Sequence, residues 1–297
     1  MYDIIIIGAG PAGLTAGIYA RRSNKKVLIL EANTYGGAIL NAPVIENYPV
    51  EKNISGYDFA TKLYNQTKDL GVEFIFEKVI NINNLNDYKE VITNKNTYKT
   101  KSIIIATGAE NRKLGIDREE ELLGKGISYC ATCDGPLFKN KDVAVIGGTD
   151  NAIKETLYLS EVVNKVYLIH KKEKLDAEEM LIDKLNNKDN IEVINNNSIK
   201  SLNGNDRLES ITLNSGKIID VSCLFVAIGR VPENENFRNI INMNEVGYII
   251  ASEDCHTNVE GIFVAGDNRT KRLRQLVTAT CDGAIAAMEA VKYVNKQ

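Results

Sequence analysis

Near its start the chain reads Asp3-Ile4-Ile5-Ile6-Ile7-Gly8-Ala9-Gly10-Pro11-Ala12-Gly13. Four consecutive isoleucines bounded by a glycine form a strand buried on both faces. Pro11 suits the first turn of a helix, which the pattern carries to about Ser23. A second strand, Lys26-Val-Leu-Ile-Leu30, ends in Glu31, 23 residues after Gly8. Strand, G-x-G-x-x-G turn, helix, strand and acid make a dinucleotide-binding unit. Gly8 makes the tight turn, and Gly10 lets the backbone approach a pyrophosphate. Gly13 lets helix and strand pack closely, the helix N-terminus takes the phosphate charge, and Glu31 accepts from ribose hydroxyls.

The unit occurs twice. Asp142-Val-Ala-Val-Ile146 leads into Gly147-Gly148-Thr149-Asp-Asn-Ala152 and a helix to about Val163. The strand Val166–Ile169 follows, and His170 stands 23 residues after Gly147. The copies are in register. Each closes with a buried strand and a glycine, Ser102-Ile-Ile-Ile-Ala106-Thr107-Gly108 and Cys223-Leu-Phe-Val-Ala-Ile228-Gly229. Before each lies a β-rich stretch, 72–100 and 191–221, with hairpin turns at Asn94-Lys-Asn96 and Asn214-Ser-Gly216. A last strand, Gly261-Ile-Phe-Val-Ala-Gly266-Asp267, precedes a helix from about Gln275 to Val294. The reading is an α/β protein of two Rossmann-like dinucleotide-binding domains in three-layer ββα form. Residues 1–113 and 242–297 build the first domain, and 114–241 form a second inserted in it.

Composition narrows the function. The chain has 297 residues, 44% hydrophobic and 25% charged, which excludes disorder for most of it. No apolar run approaches the roughly 18 residues of a membrane-spanning helix. A net charge of −3 argues against nucleic-acid binding by bulk charge. Met1-Tyr2-Asp3 runs into the isoleucines without a basic targeting region, which reads as cytoplasmic. Five cysteines do not make a secreted disulfide framework.

Cys130-Ala131-Thr132-Cys133, followed by Asp134, is the second signal. Such a pair can be a redox dithiol, half of a zinc site or inert. Zinc needs four ligands, and Cys223, Cys255, His256, Cys281 and His170 include no second C-x-x-C. The redox dithiol is the favoured reading, with no metal and with Asp134 as acid and base for the thiols.

These residues, with Gly36-Gly37, Glu46-Asn47-Tyr-Pro49, Ser128-Tyr129 and Leu273-Arg274-Gln275, appear in the order found in low-molecular-weight thioredoxin reductases. The chain resembles that family over essentially its whole length. The resemblance implies FAD in the first domain, a homodimer, and thioredoxin as the partner reduced. It places FAD on Gly8, Gly10, Pro11, Ala12, Gly13, Glu31, Gly36, Gly37, Asn47, Ala106, Thr107, Gly108, Gly266, Asp267, Arg274, Gln275 and Leu276. By the same resemblance Cys133 faces the flavin, Cys130 attacks thioredoxin and Asp134 moves protons. Asp267 binds the ribityl chain or phosphates. Arg274, Gln275 and the backbone that follows lie at the isoalloxazine, where a helix N-terminus favours negative charge.

Departures from the family pattern gather in the second copy. Thr149 takes the position of Gly10, where a side chain obstructs the approach to a pyrophosphate. Lys171-Lys172 replaces an arginine pair and loses the fork suited to a 2′-phosphate, Asp176 replaces a third arginine, and Lys154 replaces a helix acid. Ala38 replaces a glutamine, and Cys281 replaces a glycine and reads as a small packing residue. The damaged nucleotide site resembles that of the ferredoxin-dependent flavin thioredoxin reductases, which implies reduced ferredoxin as donor. From about −400 mV to a thioredoxin at about −270 mV, two electrons run downhill by roughly 6 kcal/mol. An acidic ferredoxin needs a basic patch, for which Arg21-Arg22, Lys25-Lys26 and Lys271-Arg272 are candidates. The alternatives are the same reaction fed by NADPH or NADH, a dithiol oxidase passing electrons through FAD to oxygen, and a catalytically silent redox sensor.

Overall fold

A computed structural model describes residues 1–42 and 44–297, which divide into two compact units. Unit 1 is Met1–Glu110 with Val231–Gln297, and unit 2 is Asn111–Arg230.

Unit 1 begins with β1 (Tyr2–Ile7), α1 (Pro11–Arg22) and β2 (Val27–Glu31). Then come α2 (Gly56–Asp69), β3 (Glu73–Phe76), β4 (Val79–Asn84), β5 (Lys89–Thr93) and β6 (Thr97–Ile105). The strands line up as β3-β2-β1-β6-β5-β4. β6 explains how one sheet holds both parallel and antiparallel strands. Its first half pairs antiparallel with β5, and its second half pairs parallel with β1. The period-2 alternation of β1 divides the core. Ile4 and Ile6 join the cluster under α1, while Ile5 and Ile7 join Val79, Ile82 and Val91 on the opposite face.

The chain leaves unit 1 through β7 (Ala109–Asn111). Unit 2 contains β8 (Ile127–Ser128), α3 (Ala131–Asp134), β9 (Asp142–Ile146), α4 (Asp150–Ser160), β10 (Lys165–Ile169), α5 (Glu179–Asn186) and β11 (Ile191–Ile194). It continues with β12 (Ile199–Asn203), β13 (Ser210–Leu213), β14 (Ile218–Asp220) and β15 (Cys223–Val226), and closes at β16 (Arg230–Pro232). Its parallel sheet runs β11-β10-β9-β15-β8, with β12-β13-β14 as a separate antiparallel layer. Val143 and Val145 face the helices, while Ala144 and Ile146 face the β layer. α4 stops at Ser160, short of Val163, as its last turn tightens: the Glu161 and Val162 N–H groups donate three residues back, to the Tyr158 and Leu159 carbonyls.

Back in unit 1, β17 (Ile262–Val264) pairs parallel with the second half of β6, and α6 (Leu276–Asn295) packs on α1. The second crossing falls after Arg230, earlier than the 241 read from the sequence. Phe237 and Ile241 account for it: both are buried with Ile5 and Ile7 of β1.

Candidate functional site

The residues assigned to FAD converge at the C-terminal end of the parallel strands of unit 1. Gly8 has φ +108°, and a Cβ there would sit 2.3 Å from the Ala106 carbonyl oxygen. A Cβ on Gly13 would lie 1.9 Å from the Gly8 oxygen, so only glycine lets α1 start this close to β1. Gly10, the N-cap of α1, is different: a Cβ there meets nothing within 4 Å. That open cradle, with no acidic side chain in the first turn of α1, suits a pyrophosphate.

The neighbours enclose the cradle. The Gly36 N–H donates to the Ala9 carbonyl, and a Cβ on Gly37 would come 3.3 Å from the Gly10 Cα. Glu31 accepts from the Ala9 N–H through Oε2 (2.8 Å) and from the Asn33 N–H through Oε1 (2.9 Å). Gly266, at φ +93°, lies beside Ala12. Asn47 donates to Gln275 Oε1 (3.1 Å). Arg274 donates to the Asp267 carbonyl and stacks 4.2 Å above the Tyr248 ring. Thr107 Oγ1 donates to Asn234 and accepts from Asn268, both buried. Leu276 packs with Ile39, Tyr48 and Phe59.

Sequence reasoning missed Asp282 of α6. Its Oδ2 accepts from the Gly266 N–H (2.9 Å), Arg269 Nε (2.9 Å) and Lys271 Nζ (2.8 Å), and Oδ1 accepts from Arg269 Nη2 (2.8 Å). Arg269, Lys271 and Asp282 are all buried side chains. The carboxylate thus ties the Gly266-Asp267 turn to α6. An acid in an Ala-rich helix was the available signal. Lys271 is thereby removed from the surface patch proposed for an acidic partner. Cys281 is also corrected: it is exposed, because the buried stripe of α6 runs Ala279, Asp282, Gly283, Ala286, Ala287, Ala290 and passes it by.

In unit 2, Cys130 and Cys133 form a disulfide with Cα atoms 5.3 Å apart. Cys130 caps α3 in extended conformation, and the Cys133 and Asp134 N–H groups donate to its carbonyl. Cys130 Sγ lies 3.5 Å from the exposed Thr132 hydroxyl. Leu137 is exposed four residues beyond Cys133. Burial pushes the Asp134 carboxyl up, and a hydrogen bond from Ser128 opposes the shift. Cys223 and Cys255 are buried thiols raised by desolvation, Cys255 to about 12, so neither competes as a thiolate.

The second glycine turn keeps the backbone of the first. Thr149 has φ −94° and ψ 170°, against −75° and −179° at Gly10. Its side chain is the difference. His170 lies against Gly148, where a Cβ would come 2.0 Å from the ring. Lys172 pairs with Asp176 at 3.4 Å, and Lys171 is exposed.

Glu155 of α4 was also missed. Its Oε1 accepts from Asn151 (2.8 Å), while Oε2 is buried with no hydrogen-bond partner among the described residues. Desolvation raises this carboxyl from 4.5 to about 7, against the Asn151 bond and the Arg230 charge. A carboxyl raised in the folded state costs stability as pH climbs from 4.5 to about 7. Glu155→Gln is therefore expected to stabilise the protein at pH 8 by about 1–3 kcal/mol and to have no such effect at pH 4. Denaturant unfolding at the two pH values checks this. An equal effect at both would refute the elevated carboxyl.

Residues 2–283 match the family model for pyridine nucleotide-disulphide oxidoreductases. A thioredoxin reductase of Listeria innocua is 41% identical, covering 100% of this chain and 95% of that protein. The crystal structure of thioredoxin reductase from Streptococcus pyogenes has a TM-score of 0.96 at 38% identity, covering 100% of this chain and 99% of that one. A ferredoxin-flavin thioredoxin reductase from Clostridium acetobutylicum has a TM-score of 0.56 at 36% identity, covering 99% and 98%.

Proposed function

The chain belongs to the pyridine nucleotide-disulphide oxidoreductase family, and from that premise we propose that it is a thioredoxin reductase passing electrons through FAD and Cys130–Cys133 to a thioredoxin disulfide. The observation that carries this reading is the half-buried Cys130–Cys133 disulfide with the Asp134 carboxyl beside it. FAD is the cofactor, and the Gly10 cradle fits its pyrophosphate. FAD supplies the two-electron reduction that opens the disulfide. The protein's own residues then do the exchange. Cys130 bonds to one thioredoxin sulfur, Cys133 displaces it, and thioredoxin leaves with two thiols while the protein disulfide re-forms. The reading includes a homodimer in the cytoplasm.

The donor we infer is a reduced nicotinamide nucleotide. The second glycine turn keeps its backbone, and the unpartnered Glu155 Oε2 suits a carboxamide N–H. The similarity to thioredoxin reductases at 38–41% identity over the whole chain supports this. A second reading, reduced ferredoxin, rests on a specific observation. Thr149 places a side chain at the turn, and Asp176 occupies Lys172. For that donor Arg22, Lys26 and Arg272 remain exposed as docking candidates.

Anaerobic stopped-flow bleaching of the flavin discriminates the donors. NADPH or NADH is expected to reduce it rapidly and saturably. Slow bleaching by millimolar nucleotide, with fast bleaching by reduced ferredoxin that weakens as salt rises, would replace the first reading by the second.

A further inference from the structure

Ser128 lies buried on β8, paired through Phe225 of β15. Its hydroxyl makes two short bonds that meet at the thiol segment, with the Cys130 carbonyl a longer contact at 3.5 Å. Its proton goes to Asp134 Oδ2 at 2.6 Å, and its oxygen accepts the Cys130 N–H at 3.1 Å. The Asp134 N–H returns to the Cys130 carbonyl at 3.1 Å, so acid and cysteine are linked twice.

We propose that Ser128 is a positioning residue for thiol exchange: its hydroxyl holds the Asp134 carboxylate against the Cys130 segment. The proposal rests on the reading of Asp134 as the proton carrier. The hydroxyl donates to the ionised acid and so favours the carboxylate. Burial works the other way. The groups facing Asp134 are few. From β15 comes the Cys223 thiol, held neutral by burial and by the charge of Asp134. From α4, Tyr158 lies against Gly135, the next residue. No cation offsets the burial of Asp134 among the described residues, which leaves the Ser128 bond to do so.

The exchange needs that carboxylate. Cys130 passes its thiol proton to Asp134 and bonds to one thioredoxin sulfur, breaking the thioredoxin S–S bond. The departing sulfur takes the proton from Asp134. Cys133 then displaces the other thioredoxin sulfur, its own proton moves to that sulfur, and the Cys130–Cys133 bond is restored. Two thiols enter and two leave, so protons and electrons balance. Protonated Asp134 cannot begin the sequence, which gives thioredoxin reduction an acid limb.

The test uses full-length holoenzyme pre-reduced with dithionite, so that the donor plays no part. Thioredoxin oxidation of the enzyme is followed from pH 5 to 9. Ser128→Ala is expected to move the acid limb up by about one pH unit, a roughly tenfold loss at its foot with little change above pH 8. Ser128→Thr is expected to restore the limb. Should the alanine variant lose its fold, Thr and Val at this position, equal in shape, carry the same comparison. A limb left in place, or a uniform loss at every pH, overturns the proposal. Asp134→Asn is expected to abolish the limb. If the limb persists there, the proton-carrier reading of Asp134 fails, and the positioning proposal fails with it.

Discussion

Replacing Cys130 by serine is expected to lower thioredoxin reduction by about three orders of magnitude or more, because a hydroxyl does not undergo thiol–disulfide exchange. The fold should hold. Cys130 is half-buried at the cap of α3, and serine is a favoured capping residue. Cys223, Cys255 and Cys281 are free in the wild-type oxidised protein, so denatured wild type should titrate as three thiols. In the variant Cys133 joins them, making four. If Cys133 faces the flavin, its remaining thiolate should give a long-wavelength charge-transfer absorbance with oxidised FAD. Cys133→Ser should lack that band and leave Cys130, beside exposed Thr132, open to alkylation. A Cys130→Ser protein with near-normal activity would remove the exchange role. The band appearing in the Cys133 variant instead would reverse the two assignments.

The elements that set the fold were legible because each is a local pattern with one physical solution. Four isoleucines before a glycine make a strand whose side chains alternate between two cores, and the structure divides Ile4 and Ile6 from Ile5 and Ile7 in that way. Gly8 and Gly13 were readable because steric approach excludes every other residue there. What escaped were partnerships made by tertiary structure. Asp282 acts on Gly266 and on two cations 11 and 13 residues before it in the chain, and no helical spacing announces that meeting. Lys271 looked like surface charge because lysine nearly always is, and only the buried Asp282 carboxylate reverses that expectation. Glu155 stands on a helix of mixed polarity, where nothing in sequence marks which oxygen lacks a partner. The segment after Arg230 has no strand or helix period, so the burial of Phe237 and Ile241 in unit 1 could not be read.

Gly10→Thr is expected to yield a folded, nearly colourless protein. A Cβ at Gly10 meets nothing within 4 Å, so the apo fold tolerates it, and threonine is itself an accepted N-cap. The loss falls on the cofactor. Displacing a pyrophosphate from two hydrogen bonds at about 1.5–3 kcal/mol each weakens FAD binding by roughly 10²–10⁴-fold. Gly13→Thr is the control with the opposite signature. Its Cβ would lie 1.9 Å from the Gly8 carbonyl oxygen, a backbone atom that cannot withdraw without separating α1 from β1. That variant should lose about 4 kcal/mol or more and fail to fold whether or not FAD is present. Thermal melting of the apo forms and FAD titration separate the two effects. Gly10→Thr also recreates in the first copy what Thr149 presents in the second, on a backbone that differs by less than about 20° in either dihedral. If FAD affinity survives the substitution, the pyrophosphate reading of Gly10 is refuted, and Thr149 ceases to count against a nicotinamide nucleotide. If affinity collapses, Thr149 weighs for the ferredoxin donor instead, and isothermal titration of the wild type and Thr149→Gly with NADPH measures how much that side chain costs unit 2.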